Sequence, residues 1–203
     1  MEMTVLVAYA SKHGATQGIA ERIAESLTAA GQQAEVRPVR ETGDLGGYDA
    51  VVVGSAAYEG HWLKEARQFV QRHRDELAAR PVWLFSSGPL GTKTTDGQGR
   101  DLREVAQPKE IPELKEAIAA RDHRVFFGAL KPDRLSFAER ALRKLPAARA
   151  MLPEGDFRDW TEIEAWANGI AHDPALSGQP TGPAGETQAH ESPGDGQDPS
   201  AAP

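Results

Sequence analysis

The chain has 203 residues, 39% of them hydrophobic, and a formal net charge of −7. This length suits one α/β domain with a single core and is too short for two full-sized domains. Cysteine is absent, which excludes disulfides, iron–sulfur clusters and thiolate metal sites, so redox chemistry would need a bound organic cofactor.

The charge is unevenly distributed. Residues 173–203 carry five acids and no Lys or Arg, so residues 1–172 hold 25 acids against 23 bases, a net charge of −2. A nearly neutral domain argues against non-specific nucleic-acid binding, which needs many unpaired cations to neutralise phosphates. No basic leader precedes the first apolar run and no window is long enough to cross a bilayer, so we expect a cytoplasmic protein.

Hydrophobic periodicity predicts alternating strands and helices, because short β-branched runs indicate buried strands and apolar residues three or four apart indicate helices. In chain order we predict a strand over 3–10, helix over 16–30, strand over 34–39, strand over 50–55, helix over 62–79, strand over 81–87, helix over 112–120, strand over 124–130, helix over 136–145 and helix over 159–171. A domain over 1–172 is expected, followed by a disordered acidic, Gly- and Pro-rich tail over 173–203.

This alternation predicts an α/β fold with a doubly wound, five-stranded parallel sheet and helices on both faces. Pro38 places the second strand at an edge, which gives the strand order 2-1-3-4-5. Ligands of such folds bind beyond the carboxyl ends of the strands, at the switch between strands 1 and 3. The loops to inspect are therefore 11–16, 55–62 and 86–92.

The first of these loops has the composition of a phosphate-binding loop. It consists of Ser11, Lys12, His13, Gly14, Ala15 and Thr16. Two hydroxyls, a glycine that allows close approach and the free amides of a helix N-terminus can together bind a phosphate monoester. The alternative is that Ser11 or Thr16 only caps the helix. The G-x-G-x-x-G and G-K-[ST] patterns are absent, and Gly54-Ser55 stand where a receiver domain needs an acid.

The other two loops suit a flat ring such as the isoalloxazine of flavin mononucleotide (FMN). The candidate ring-binding residues are Ser55, Ala56, Ala57, Tyr58, Gly60, His61 and Trp62 in the second loop, and Ser86, Ser87, Gly88, Pro89 and Gly91 in the third. Tyr58 and Trp62 are candidate stacking platforms, and Gly60 and His61 are candidate flavin contacts. In the alternative interpretation both aromatic residues pack on the surface, His61 is structural and the third loop is merely flexible. No residue is assigned a catalytic role.

The loop over 11–16 resembles the phosphate loop of flavodoxins, with His13 replacing the usual middle hydroxyl. Several short motifs resemble the flavodoxin-like, menaquinone-dependent protoporphyrinogen oxidases of bacteria: Gly60-His61, Phe69-Val70, the run 127–130 and Asp159-Trp160. This resemblance implies non-covalent FMN, electron transfer from a porphyrinogen to a quinone at the membrane, and a place in heme biosynthesis. Tyr58-Glu59 and the acids within 88–123 depart from the family's pattern.

Three hypotheses follow. The first is an FMN-dependent oxidoreductase that uses a small-molecule substrate such as protoporphyrinogen and a quinone acceptor. The second is a flavodoxin-like electron carrier with a redox protein partner, and the third is a flavin-free binding module.

Residues 131–149 carry six bases against two acids, which predicts a basic amphipathic helix at the inner face of an anionic membrane. A solvated cover helix is the alternative for this stretch.

Overall fold

The computed structural model of the chain describes residues 3–135, 137–142, 145 and 153–176. Its elements in chain order are β1 (Thr4–Ala10), α1 (Ala15–Ala29), β2 (Gln33–Pro38), β3 (Ala50–Tyr58), β4 (His61–Trp62), α2 (Lys64–Arg72), α3 (Arg74–Ala78), β5 (Val82–Ser87), α4 (Leu102–Val105), α5 (Ile111–Ala117), β6 (Asp122–Phe126), β7 (Ala129–Leu130), a 3₁₀ turn (Pro132–Arg134), α6 (Phe137–Leu142), β8 (Gly155–Asp156) and α7 (Trp160–Ala171).

The main sheet confirms the predicted topology. Its strands lie in the order β2-β1-β3-β5-β6, all parallel, and the short β4 pairs antiparallel with the end of β3. The chain leaves β1 for the edge strand β2 and returns to β3 on the other side of β1. The carboxyl ends of β1 and β3 are therefore the switch point at which this class of fold binds its ligands.

Helices cover both faces of the sheet, which explains why the central strands are apolar without alternation. Val5 and Val7 of β1 pack with α1 and α7, while Leu6 and Ala8 face the opposite core with α2 and α5. Each large aliphatic side chain buried in this way contributes roughly 1.5–3 kcal/mol. The two layers fix the strand ends from which the functional loops emerge.

Gly54 of β3 lies opposite Phe85 of β5 in the parallel register. A Cβ built on Gly54 would lie 2.0 Å from Phe85 Cζ, far inside van der Waals contact. The glycine therefore makes room for the ring of the neighbouring strand, and its small size is a packing requirement rather than a turn signal.

Some predicted boundaries are wrong. The single helix over 62–79 is interrupted at His73, whose ring Nδ1 lies 2.8 Å from Glu76 Oε1, and its first residue, Trp62, belongs to a strand. The last sheet strand ends at Phe126, and the following Ala129–Leu130 pairs instead with Gly155–Asp156. Of the helix predicted over 136–145, the structure shows Phe137–Leu142, and residues 136, 143 and 144 lie outside the described residues.

The C-terminal helix agrees with the prediction. Asp159 caps α7 by accepting a hydrogen bond from the Glu162 amide at 3.0 Å. Packing continues past residue 172, since Leu176 is buried in the core and Asp173 pairs with Arg121 at 2.9 Å. The predicted tail beyond 176 lies outside the described residues. In the described part of the chain, no helix is both long and apolar enough to cross a membrane.

Candidate functional site

The loop after β1 turns tightly onto the N-terminus of α1. Gly14 occupies the N-cap position with φ of 86°, a conformation that glycine adopts without the steric penalty of a Cβ. Its amide donates to Ser11 Oγ at 3.0 Å, so the Ser11 hydroxyl shapes the turn. The loop therefore brings the first amides of a 15-residue helix to the switch point of the sheet.

Thr16 in the first turn of α1 is fully buried, with 0% of its surface exposed. Within the described residues its Oγ1 has no hydrogen-bond partner. An unsatisfied buried hydroxyl costs about 1–3 kcal/mol. Because Thr16 lies inside the helix and makes no capping bond, the capping alternative does not explain it. Its hydroxyl fits an acceptor supplied from outside the chain, such as a phosphate oxygen.

Tyr58 connects the first loop with the second. Its ring centroid lies 6.3 Å from that of His13 at an interplanar angle of 73°, and Lys12 Nζ lies 5.2 Å from the Tyr58 centroid. The structure thus brings together the two loops that the sequence placed at the switch point. Tyr58 is 38% exposed and keeps ring surface available for stacking.

The second loop, predicted over 55–62, forms a β-hairpin. β3 continues to Tyr58, and Glu59 and Gly60 form the turn with φ of 52° and 78°, as in a two-residue type I′ turn. The turn is anchored from outside. Gly60 O accepts from the Lys109 amide at 3.0 Å, and Glu110 Oε1 accepts from the Trp62 amide at 2.7 Å.

His61 lies on the exposed rim of this hairpin, directly opposite Tyr58. Its Nδ1 is 3.1 Å from Glu110 Oε2, so the same carboxylate that holds the Trp62 amide also orients the imidazole. The pairing places Tyr58 and His61 side by side at the entrance to the switch point.

Trp62 does not form the predicted stacking platform, because it is only 1% exposed. Its Nε1 donates to Ser86 Oγ at 2.8 Å, and the Ser86 hydroxyl lies 2.8 Å from His123 Nε2. The Ser86 hydroxyl therefore joins Trp62 and His123 in one buried chain of hydrogen bonds. Burial lowers the pKa of His123 to about 4, so its imidazole is neutral at neutral pH.

The hydroxyls of two serines that were predicted to contact the ring already form hydrogen bonds within the protein. The hydroxyl of Ser55 donates to Ala56 O at 2.9 Å and accepts from the Leu63 amide at 3.1 Å. Ser86 is occupied by the Trp62–His123 chain of hydrogen bonds. Both residues are fully buried, so their hydroxyls stabilise the interior of the fold.

The third loop is fixed at two points. Gly88 N donates to Phe126 O at 3.0 Å, and Gly128 N donates to Pro89 O at 2.9 Å. A Cβ built on Gly88 would lie 4.0 Å from Ala57 Cβ, so the second and third loops are neighbours. Ser87 is buried, whereas Pro89 and Gly91 are partly exposed, with φ of 110° at Gly91.

Arg134 is a residue of this site that sequence reasoning missed. Cavities of about 390 Å³ and 310 Å³ flank the first loop, and both are lined by His13, Gly14, Gln17 and Arg134. Sequence reasoning treated Arg134 only as one of the six bases in residues 131–149. No local pattern connects it with a loop 121 residues earlier.

The sheet order defines a flavodoxin-like α/β protein, and its three candidate loops lie at the carboxyl ends of β1, β3 and β5. The chain belongs to the flavodoxin domain family, whose sequence model matches residues 6–150. It is also similar to a curated protein of Escherichia coli strain K12, protoporphyrinogen IX dehydrogenase (quinone). The two are 27% identical over 192 residues, which cover 88% of this chain and 99% of the relative.

Solved structures agree on the fold. A flavodoxin from the domain Archaea aligns with a TM-score of 0.51 at 17% identity, covering 83% of this chain and 96% of that one. A mutant flavodoxin from Pseudomonas aeruginosa aligns with a TM-score of 0.51 at 19% identity, covering 87% of this chain and 100% of the other. The fold and the family indicate a flavin cofactor.

Proposed function

We propose that the protein is an FMN-dependent oxidoreductase that oxidises a porphyrinogen-type substrate and passes the electrons to a quinone. The cofactor part of the proposal rests on Thr16, whose buried hydroxyl lacks a partner among the described residues, beside the positive-φ turn at Gly14. Residues 11–16 would hold the phosphate. Bound FMN would supply the redox chemistry, while the protein supplies binding, orientation and electrostatics.

The ring would lie where the second and third loops meet. Tyr58 offers an exposed aromatic face, and Gly60 and residues 88–91 bring backbone close to that point. Glu110 holds the hairpin through the Trp62 amide and orients His61. In this arrangement His61 is a candidate hydrogen-bonding group at the rim, and its orientation is fixed before any ligand arrives.

The substrate part of the proposal rests on the 27% identity with protoporphyrinogen IX dehydrogenase (quinone), which extends over nearly the whole length of both chains. The near-neutral charge of residues 1–172 supports an enzyme over a carrier that docks through a strongly acidic face.

The test is anaerobic turnover of the FMN-loaded protein with protoporphyrinogen and a menaquinone analogue, followed through the fluorescence of the porphyrin product. We expect oxidation that depends on the quinone and is lost when FMN is omitted. Stepwise reduction of the holoprotein should accumulate little one-electron-reduced flavin. A long-lived one-electron form without quinone-dependent oxidation would instead identify an electron carrier.

A further inference from the structure

We propose that Arg134 supplies the positive charge of the phosphate site, reaching it from the segment between β7 and β8. The inference rests on the FMN binding proposed above. Arg134 ends the 3₁₀ turn Pro132–Arg134, and the buried Leu135 anchors that turn to the domain. The Arg134 carbonyl lies 3.1 Å from His13 Nδ1. A Cβ built on Gly14 would lie 3.4 Å from Arg134 Nη1, so the guanidinium rests against the loop itself.

The charge of Arg134 is available for a ligand. In the described part of the chain no carboxylate forms an ion pair with it, although neighbouring arginines of the same cavity are paired. Arg22 contacts Glu164 at 2.6 Å and Arg158 contacts Asp156 at 2.5 Å. Lys12, the cation within the loop, has its Nζ 5.2 Å from the Tyr58 ring centroid. Among the described residues, Arg134 is therefore a guanidinium next to Gly14 that no carboxylate pairs with.

The first turn of α1 offers groups suited to an anion, although the two flanking cavities are also lined by the carboxylates Glu21, Glu25, Glu41 and Glu65. A helix N-terminus carries about half a positive charge, and the hydroxyl of Thr16 adds a buried donor without a described partner. A phosphate monoester carries about 1.5–2 negative charges near neutral pH, more than these two groups balance. A guanidinium can complete the site through charge-assisted hydrogen bonds to two phosphate oxygens at once. Arg134 thereby couples cofactor binding to a segment distant in sequence.

The experiment titrates the full-length apoprotein with FMN and with riboflavin by fluorescence quenching, at low and at high salt. Arg134→Ala should weaken FMN binding about 10-fold. This lies at the lower end of the range for losing a hydrogen bond to a charged group, because the Arg134 side chain is exposed to water. Riboflavin binding should change less than about 2-fold, since riboflavin lacks the phosphate. The salt dependence of FMN binding should also become shallower in the variant, because one charged contact is lost.

Two further variants make the result specific. Arg140→Ala removes another exposed base of the same stretch and should leave FMN binding unchanged. Arg134→Lys keeps the charge but loses the planar fork and should fall between wild type and Arg134→Ala. If Arg134→Ala matches Arg140→Ala while Thr16→Val still loses FMN selectively, this inference is overturned and the proposed cofactor stands. If the wild type binds riboflavin as tightly as FMN, the phosphate site fails, and the role of Arg134 with it.

Discussion

Replacing Thr16 by Val tests the phosphate site through one atom. Valine nearly matches the shape of threonine, so the change removes the hydroxyl without opening a cavity. If Thr16 Oγ1 donates to the FMN phosphate, the lost bond to a charged acceptor is worth about 1.5–3 kcal/mol, which is roughly a 10- to 150-fold loss of affinity. Riboflavin affinity should hardly change. Thr16→Ser keeps the hydroxyl and serves as the matched control.

The same variant should stabilise the apoprotein. Thr16 Oγ1 is buried without a partner among the described residues, and removing such a group relieves a penalty of about 1–3 kcal/mol. For a domain of this size each kcal/mol raises Tm by about 2–4 °C. In Thr16→Val, the Tm of the apoprotein measured by calorimetry should therefore rise, while the FMN affinity measured by fluorescence titration should fall. A lower Tm with equal losses for both flavins would mean that Thr16 only supports the helix, and would refute the reasoning.

Three other predictions follow from the packing, the titration and the charge pattern. Gly54→Ala should destabilise the fold by at least about 3 kcal/mol in urea unfolding, because its Cβ would meet the Phe85 ring at 2.0 Å, whereas Gly43→Ala, with open space around it, should be neutral. Because the pKa of His123 is near 4, the unfolded state takes up a proton at this residue as pH falls from 6.5 to 4, while the folded state resists it. The free energy of unfolding should therefore fall by about 3 kcal/mol over this range, and His123→Gln should abolish that decline. Because of the bases in residues 131–149, the protein should co-sediment with anionic but not with neutral vesicles at low salt. Binding to neither kind of vesicle would remove the membrane prediction.

The sheet was predictable because its strands are buried on both faces. Local composition is enough to find these strands. It shows the apolar runs of β1 and β3 as central strands and Pro38 as the mark of an edge strand, and these positions predict the strand order. The boundary of β3 was not found because Tyr58 and His61 pair across a two-residue turn. The dipeptide Glu59-Gly60 carries a hairpin signal that the predicted loop over 55–62 did not use, because glycine readily adopts the positive φ that such a turn needs.

The site was predictable at the level of loops and less so at the level of side chains. Thr16 lies in the first turn of α1 and Tyr58 at the end of β3, and their roles toward a ligand stay predictions. The burial of Trp62 depends on a partner distant in sequence, since its indole donates to Ser86 on the neighbouring strand. Arg134 could not be found because its approach to Gly14 depends on the path of the chain between β7 and β8. Composition alone does not determine such a path.

Retention of FMN by the protein is the most direct test of the proposed site. Apoprotein mixed with excess FMN and then desalted should retain roughly one flavin per chain, with its visible absorption band perturbed relative to free FMN by the protein environment. The same treatment with riboflavin should retain much less, because riboflavin lacks the phosphate that the groups around Gly14 and Thr16 would bind. A protein that leaves the column colourless after incubation with FMN would contradict the central claim.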